Sequence, residues 1–174
     1  MRLVKLASDA GSSRRGNRRA RLALAVLAVA TVAGVITRAS LTQVRSGNWV
    51  RASEMLEARA GASAARLPDG RVLVTGGSGP DGALATAEVF DATGSFTRVA
   101  PMIQPRSRHV SIALADGRVL VAGGRTFGDA ATSSAEIYDP AADAWTDVGP
   151  MALTRVGHTA TLLEDGRVLI AGGA

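Results

Sequence analysis

The side chains with which this chain could do chemistry are few. His109 and His158 could each offer an imidazole to a metal or a proton, and Tyr138 is the single phenol. There is no cysteine, which excludes thiolate nucleophiles, thiolate metal ligands and disulfides. Two histidines do not complete a zinc site without further ligands. They also stand at equivalent places in a repeated phrase, so they are expected in neighbouring units and not in one cluster. The glycine-rich "GGSGPDG" (76–82) follows an apolar run, as a nucleotide-binding loop would. A phosphate cradle there needs a helix N-terminus next, and Pro80, Asp81 and Gly82 read as a turn followed by more β pattern. No catalytic residue, metal or cofactor is therefore expected.

Binding is the chemistry that remains. A residue needed once should sit where repeats differ, which singles out the loops "SGPDGALAT" (78–86) and "RTFGDAATSS" (125–134). Arg125, Phe127 and Asp129 offer a cation, an aromatic ring and an acid within five residues, and Asp81 is the acid of the other loop. The expected partner is a protein or polysaccharide ligand.

Those loops are placed by a repeat. "DGRVLVTGG" at Asp69 to Gly77 returns as "DGRVLVAGG" at Asp116 to Gly124 and "DGRVLIAGG" at Asp165 to Gly173. Met55, Met102 and Met151 are 47 and 49 residues apart, each fifteen before the Gly of its "DGRV". Trp49, Phe96 and Trp145 each precede their Met by six. A period of this length means stacked units, with repeats at about 55–101, 102–150 and 151–174.

Each unit reads as four short antiparallel strands. "HVSIAL" (109–114) and "RVLVAGG" (118–124) form a hairpin across Asp-Gly, expected as a tight pair in which both residues tolerate positive φ. "AEIYD" (135–139) is a third strand and "AWTDV" (144–148) a fourth, with Pro140 to Asp143 as the turn between. A sheet this small cannot bury its own faces, so like sheets must stack radially. Aromatics are only 3% of a chain that is 47% apolar. Tyr138 and Trp145, with Phe90 and Phe96 at the matching places, are the expected filling between neighbours. Arg59, Arg106 and Arg155 recur before the first strand, and Glu88 and Glu136 open the third, suggesting an Arg to Glu contact between blades.

The pattern resembles kelch repeats: Arg106 to His109 and Arg155 to His158, the doublets Gly76 to Gly77, Gly123 to Gly124 and Gly172 to Gly173, and Tyr138 to Pro140 with Trp145. It covers residues 47–174 and is similar to bacterial versions and to the central propeller of galactose oxidase. Ala62 stands where the motif has His, and Phe90 and Phe96 where it has Tyr and Trp. The resemblance implies an all-β fold, an incomplete kelch-type β-propeller of about three blades, and a non-catalytic binding or scaffold role. It also leaves open the propeller portion of an oxidase. The copper site of galactose oxidase uses two His, two Tyr and a Cys bonded to one Tyr, which this chain alone cannot supply.

The phase places a lone fourth strand at Asn48 to Ala52, two whole sheets, and the first two strands of another. Propellers close with about four to eight blades, so the expectation is a fragment of a longer reading frame or several chains sharing one ring. Val168, Leu169 and Ile170 would then lie along an open edge.

The opening segment has a different character. Residues 1–21 hold seven basic residues and one acid, Asp9, and residues 22–37 carry no charge. A basic region feeding an apolar run is the layout of a secretory signal peptide or an uncleaved anchor, with the apolar element at 22–39 and cleavage before Ser40 fitting the small-residue rule. The positive-inside rule keeps 1–21 cytoplasmic and sends the rest outside. Membrane contact is expected only through 22–37. The whole chain is +5, but residues 22–174 hold 13 basic and 14 acidic residues. A near-neutral body offers no footprint for nucleic acid.

Overall fold

The computed structural model describes residues 4–5, 49–50 and 52–174. The expected apolar helix at 22–39, the basic segment around it and the cleavage position lie outside the described residues. Among the described residues no helix is long and apolar enough to cross a membrane.

In a first unit, Met1–Arg51, the strands β1 (Val4–Lys5) and β2 (Trp49–Val50) pair antiparallel. The strand expected at Asn48 to Ala52 is thus present in part, but its partner is Val4–Lys5, a pairing that nothing in the repeat signals.

The second unit, Ala52–Ala174, is all β. Its first sheet holds β3 (Ser63–Arg66), β4 (Val72–Thr75), β7 (Ala87–Phe90) and β8 (Phe96–Val99), in that order and antiparallel throughout. Between its second and third strands a miniature hairpin, β5 (Ser78–Gly79) with β6 (Gly82–Ala83), occupies what reads in the sequence as a loop. The second sheet repeats the order with β9 (Val110–Ala113), β10 (Val119–Ala122), β11 (Ala135–Asp139) and β12 (Ala144–Asp147). The hairpin β13 (Thr159–Leu162) and β14 (Val168–Ala171) follows. The first strands β3, β9 and β13 are neighbours in that order, so the sheets stack along their inner edges.

Each Asp-Gly hairpin differs from the expected two-residue turn. Leu67 O accepts from Gly70 N at 3.0 Å and Leu67 N donates to Arg71 O at 2.8 Å, and Leu114 to Arg118 and Leu163 to Arg167 repeat both bonds. This is a three-residue loop closed by a bulge at glycine. Only Gly70, Gly117 and Gly166 take positive φ. Asp69 acts through its carboxylate instead. Its Oδ1 accepts from Arg71 N and its Oδ2 from Arg71 Nε, at 3.0 and 2.7 Å, and Asp116 and Asp165 do the same. The aspartate therefore fixes the arginine that starts the return strand.

Alternation along the strands sorts side chains onto two faces of each sheet. Ala65, Leu73 and Val89, cross-strand partners on one face of the first sheet, meet Val119 and Tyr138 on the opposing face of the second, and all are buried. Trp145 packs against this core at its edge, 5.0 Å from the Tyr138 ring centre. The aromatic filling expected between neighbours is what these two rings provide. Trp145 Nε1 also donates to Ala100 O of the first sheet's exit at 2.7 Å, and Asp143 Oδ1 accepts from both Ala100 N and the Tyr138 hydroxyl, at 2.9 and 2.8 Å. Phe90 and Phe96 hold the matching places one sheet earlier, 4.9 Å apart and half-buried.

Candidate functional site

The crossover from each sheet to the next determines where the loops can stand. Arg106 ends the crossover that enters the second sheet, and its guanidinium is wholly buried. Nη1 donates to Gly123 O and Ser134 O at 2.9 and 3.1 Å, and Nη2 to Glu136 Oε1 at 2.6 Å and Ser134 Oγ at 3.0 Å. Glu136 in turn accepts from Ile103 N and Gln104 N, at 2.7 and 3.0 Å. Arg59 and Glu88 build the same pair in the first repeat, at 2.5 Å and with both side chains fully buried. The expected Arg to Glu contact therefore exists but lies within a repeat, pinning a crossover to the third strand of the sheet it enters. Burying two charges is tolerable because each pair is surrounded by further hydrogen bonds to backbone. Arg155 donates to Gly172 O at 2.6 Å.

Contact between sheets falls instead to the backbone of the same arginine. Gly77 N of the first sheet donates to Arg106 O at 2.9 Å, and Gly124 N donates to Arg155 O at 2.8 Å. The glycine doublets exist for this approach. A Cβ on Gly76 would lie 2.2 Å from Arg106 O and 2.9 Å from the His109 ring, and one on Gly77 would strike the Arg59 stem at 2.9 Å. Gly123 and Gly124 are confined in the same way by Arg155, His158, Ser107 and His109, and Gly173 by Val156 and His158, whereas Gly172 meets nothing. These glycines are structural, as their recurrence suggests.

Both variable loops are thereby clamped to crossovers on one face of the stack. Ala60 bridges Ser78 and Ser107 bridges Arg125, while Arg106 N donates to Leu84 O and Arg155 N to Thr132 O. In the second loop Phe127–Asp129 form a single 3₁₀ turn that packs against β6 of the first loop. Arg125 Nη1 reaches Asp129 O and Asp129 Oδ2, each at 2.8 Å, and so clasps the turn at its base. Phe127 is left 69% exposed at the tip. Of the predicted site residues, Arg125 and Asp129 are thus brought together, Phe127 is presented by them, and Asp81 lies exposed in the turn of the β5–β6 hairpin beside them. Exposed apolar side chains continue along the crossovers as Leu56, Ile103 and Leu153.

The two histidines do not meet in one cluster. His109 is buried, with Nε2 2.8 Å from Thr75 Oγ1 of the preceding sheet, which itself lies 2.8 Å from Ser111 Oγ. A chain of two hydroxyls and an imidazole could relay a proton, but burial, with the Arg106 cation and His158 adding to it, lowers the His109 pKa to about 3. A general base works best with a pKa near the operating pH, so this imidazole is a neutral strut between sheets. His158 faces Ala122 where His109 faces Thr75, and burial lowers its pKa also. Burial and the Asp143 hydrogen bond raise the Tyr138 pKa, keeping the phenol protonated. No group of three or more His, Cys, Asp or Glu that could hold a metal occurs among the described residues.

One residue of this face is missing from the sequence-derived set. Arg108 has φ +53, in the left-handed region, and its equivalents Gly61 and Gly157 have +63 and +66. The signal was available: in three aligned repeats, glycine, arginine, glycine occupy the position just before the His place.

Stacked four-stranded antiparallel sheets, joined from last strand to first and displaying loops on the crossover side, define an all-β repeat module. Residues 106–152 match the family model for the kelch motif, and the sheets are those expected of kelch blades. Comparison with curated proteins found no match.

Proposed function

We propose that this chain is a non-catalytic, extracytoplasmic kelch-repeat module that binds a protein or polysaccharide through its crossover face, held to the membrane or delivered across it by residues 22–37. The observation that carries the reading is Phe127. A large apolar side chain 69% exposed on a turn closed by the Arg125–Asp129 pair is held out by a built structure. Aromatic anchors next to arginine are the residues that dominate binding energy at interfaces. The two complete repeats share the Asp-Gly hairpins, glycine doublets and buried Arg–Glu pairs that build the sheets and differ most in these loops, as a scaffold presenting a recognition surface requires.

The test uses the full chain against a displayed random peptide library and a glycan array, with Phe127→Ala and Asp129→Ala in parallel. The expected result is a ligand whose affinity falls by roughly tenfold or more in Phe127→Ala. A ligand bound equally by both variants would remove the crossover face as the site.

A further inference from the structure

We propose that Asp81–Gly82, at the tip of the β5–β6 hairpin, is a site of spontaneous covalent modification. The Gly82 amide nitrogen closes on the Asp81 side chain to a succinimide, and water reopens the ring as an isoaspartyl linkage. The proposal does not depend on what the crossover face binds.

Glycine favours this ring closure because it has no Cβ to keep its nitrogen from the preceding side chain. The chain holds four Asp-Gly pairs, at Asp69, Asp81, Asp116 and Asp165. Their backbones are alike, with φ +91, +115, +88 and +83 at Gly70, Gly82, Gly117 and Gly166, and all four aspartates are exposed. Their carboxylates are not alike. In three of the pairs an arginine follows the glycine, and its backbone N–H and Nε both donate to the aspartate, at 3.0 and 2.7 Å for Asp69 and Arg71. That bracket holds both carboxylate oxygens toward the arginine and away from the glycine nitrogen. The backbone and side-chain bonds of Arg71 also lower the Asp69 pKa, as the guanidinium and backbone bonds of Arg118 and Arg167 do for Asp116 and Asp165. Each is thereby kept an anion, whose carbon resists attack.

At Asp81 the arginine is replaced by Ala83. Among the described residues no hydrogen bond or ion pair holds the Asp81 carboxylate. The turn is also less firmly held: β5 and β6 pair through Ser78 with Ala83 and Gly79 with Gly82 alone, whereas the other three turns join strands of four residues. So short a ladder opens easily. A Cβ on Gly82 would meet nothing within 4 Å, so nothing packs against the attacking residue.

The chemistry needs water only. The Gly82 N–Asp81 Cγ bond forms and a Cγ–O bond breaks, and that oxygen leaves as water with the amide proton and the carboxyl proton. Water then adds across one of the two imide C–N bonds. Cleavage at Cγ restores aspartate, while cleavage at the former main-chain carbonyl routes the chain through Cγ. The second product has the same mass and charge as the parent, but its backbone is longer by one methylene and its carboxylate sits on Cα. The pairing of Gly79 with Gly82 has no room for the added atom. Because β6 packs against the Phe127–Asp129 turn, the change reaches the tip that presents Phe127.

The experiment ages the folded full chain at neutral pH and maps its tryptic peptides, reading isoaspartate by enzymatic methylation of the new carboxylate. The four pairs fall in separate peptides, 67–71, 72–98, 109–118 and 156–167, so three serve as internal references. Isoaspartate in 72–98 should accumulate roughly tenfold or more faster than in the others, the difference expected when a charge-assisted hydrogen bond must first break. Asp81→Glu, which would need a larger ring, should abolish it in 72–98. Ala83→Arg installs the bracket and should slow it to the level of the reference peptides. In urea all four should proceed alike. Equal rates in the folded chain, a signal in 72–98 that survives Asp81→Glu, no protection by Ala83→Arg, or a difference that persists in urea would each overturn the proposal.

Discussion

At the scale of single residues, polar side chains hold this structure together and very few are free to act. His109 illustrates the first group. Its pKa is about 3 in the fold against 6.5 for the free side chain. Above about pH 6.5 the imidazole is neutral folded or unfolded and costs nothing; below it the unfolded chain takes up a proton that the folded chain refuses until about pH 3. Stability should therefore fall as pH drops through that window, by up to about 1.4 kcal/mol per pH unit from this group. Urea midpoints measured at neutral and mildly acid pH should show a steeper decline in the parent than in His109→Gln. Arg108 illustrates the second group. Its left-handed backbone was readable in principle, because the aligned repeats carry glycine at the equivalent places, Gly61 and Gly157. The eye goes instead to the two histidines one place later, which recur and are structural. Phe127, Arg125 and Asp129 were legible as a group because they interrupt the repeat, but their clasped geometry was not, since a three-residue turn leaves no periodic trace.

Among elements, the crossovers rather than the strands decide the architecture. Strands β9 to β12 follow from alternation and turn residues, and β11 falls at Ala135–Asp139, the bounds its sequence suggests. The β5–β6 hairpin was not legible, because two-residue strands containing glycine carry too little pattern to register. The Arg to Glu pairs were found by recurrence, yet recurrence cannot say whether partners share a repeat or straddle two. The structure assigns both to the entering sheet, where Glu136 also holds Ile103 N and Gln104 N. Glu136→Gln keeps the shape and removes the charge, leaving the Arg106 guanidinium buried without its counter-ion. Chemical denaturation should report a loss of roughly 3–5 kcal/mol, the range for breaking a buried pair by one partner. Arg71, whose exposed aspartate pairing sits in solvent, should tolerate the same kind of change with little effect.

For the molecule as a whole, stability is a matter of neighbours. Leu73, Leu120 and Leu169 hold the same place in successive repeats, and their exposure runs from 0% through half-buried to 53%. Leu73 is covered by the second sheet, Leu120 by a two-stranded hairpin, and Leu169 by nothing among the described residues. Leu73→Ala should cost about 2–5 kcal/mol, as a core truncation does, and Leu169→Ala only a few tenths of a kcal/mol. Thermal melts of the two variants side by side would check this, and equal losses would refute the stacking account. Each seam, moreover, is made the same way: an amide of one sheet's glycine doublet holds the carbonyl of an arginine whose guanidinium belongs to the next. Inserting or deleting one complete unit would leave the same amide-to-carbonyl bond at every junction. The architecture can thus change its number of display loops in whole steps, like links added to a bracelet, without altering the recipe by which any two links join.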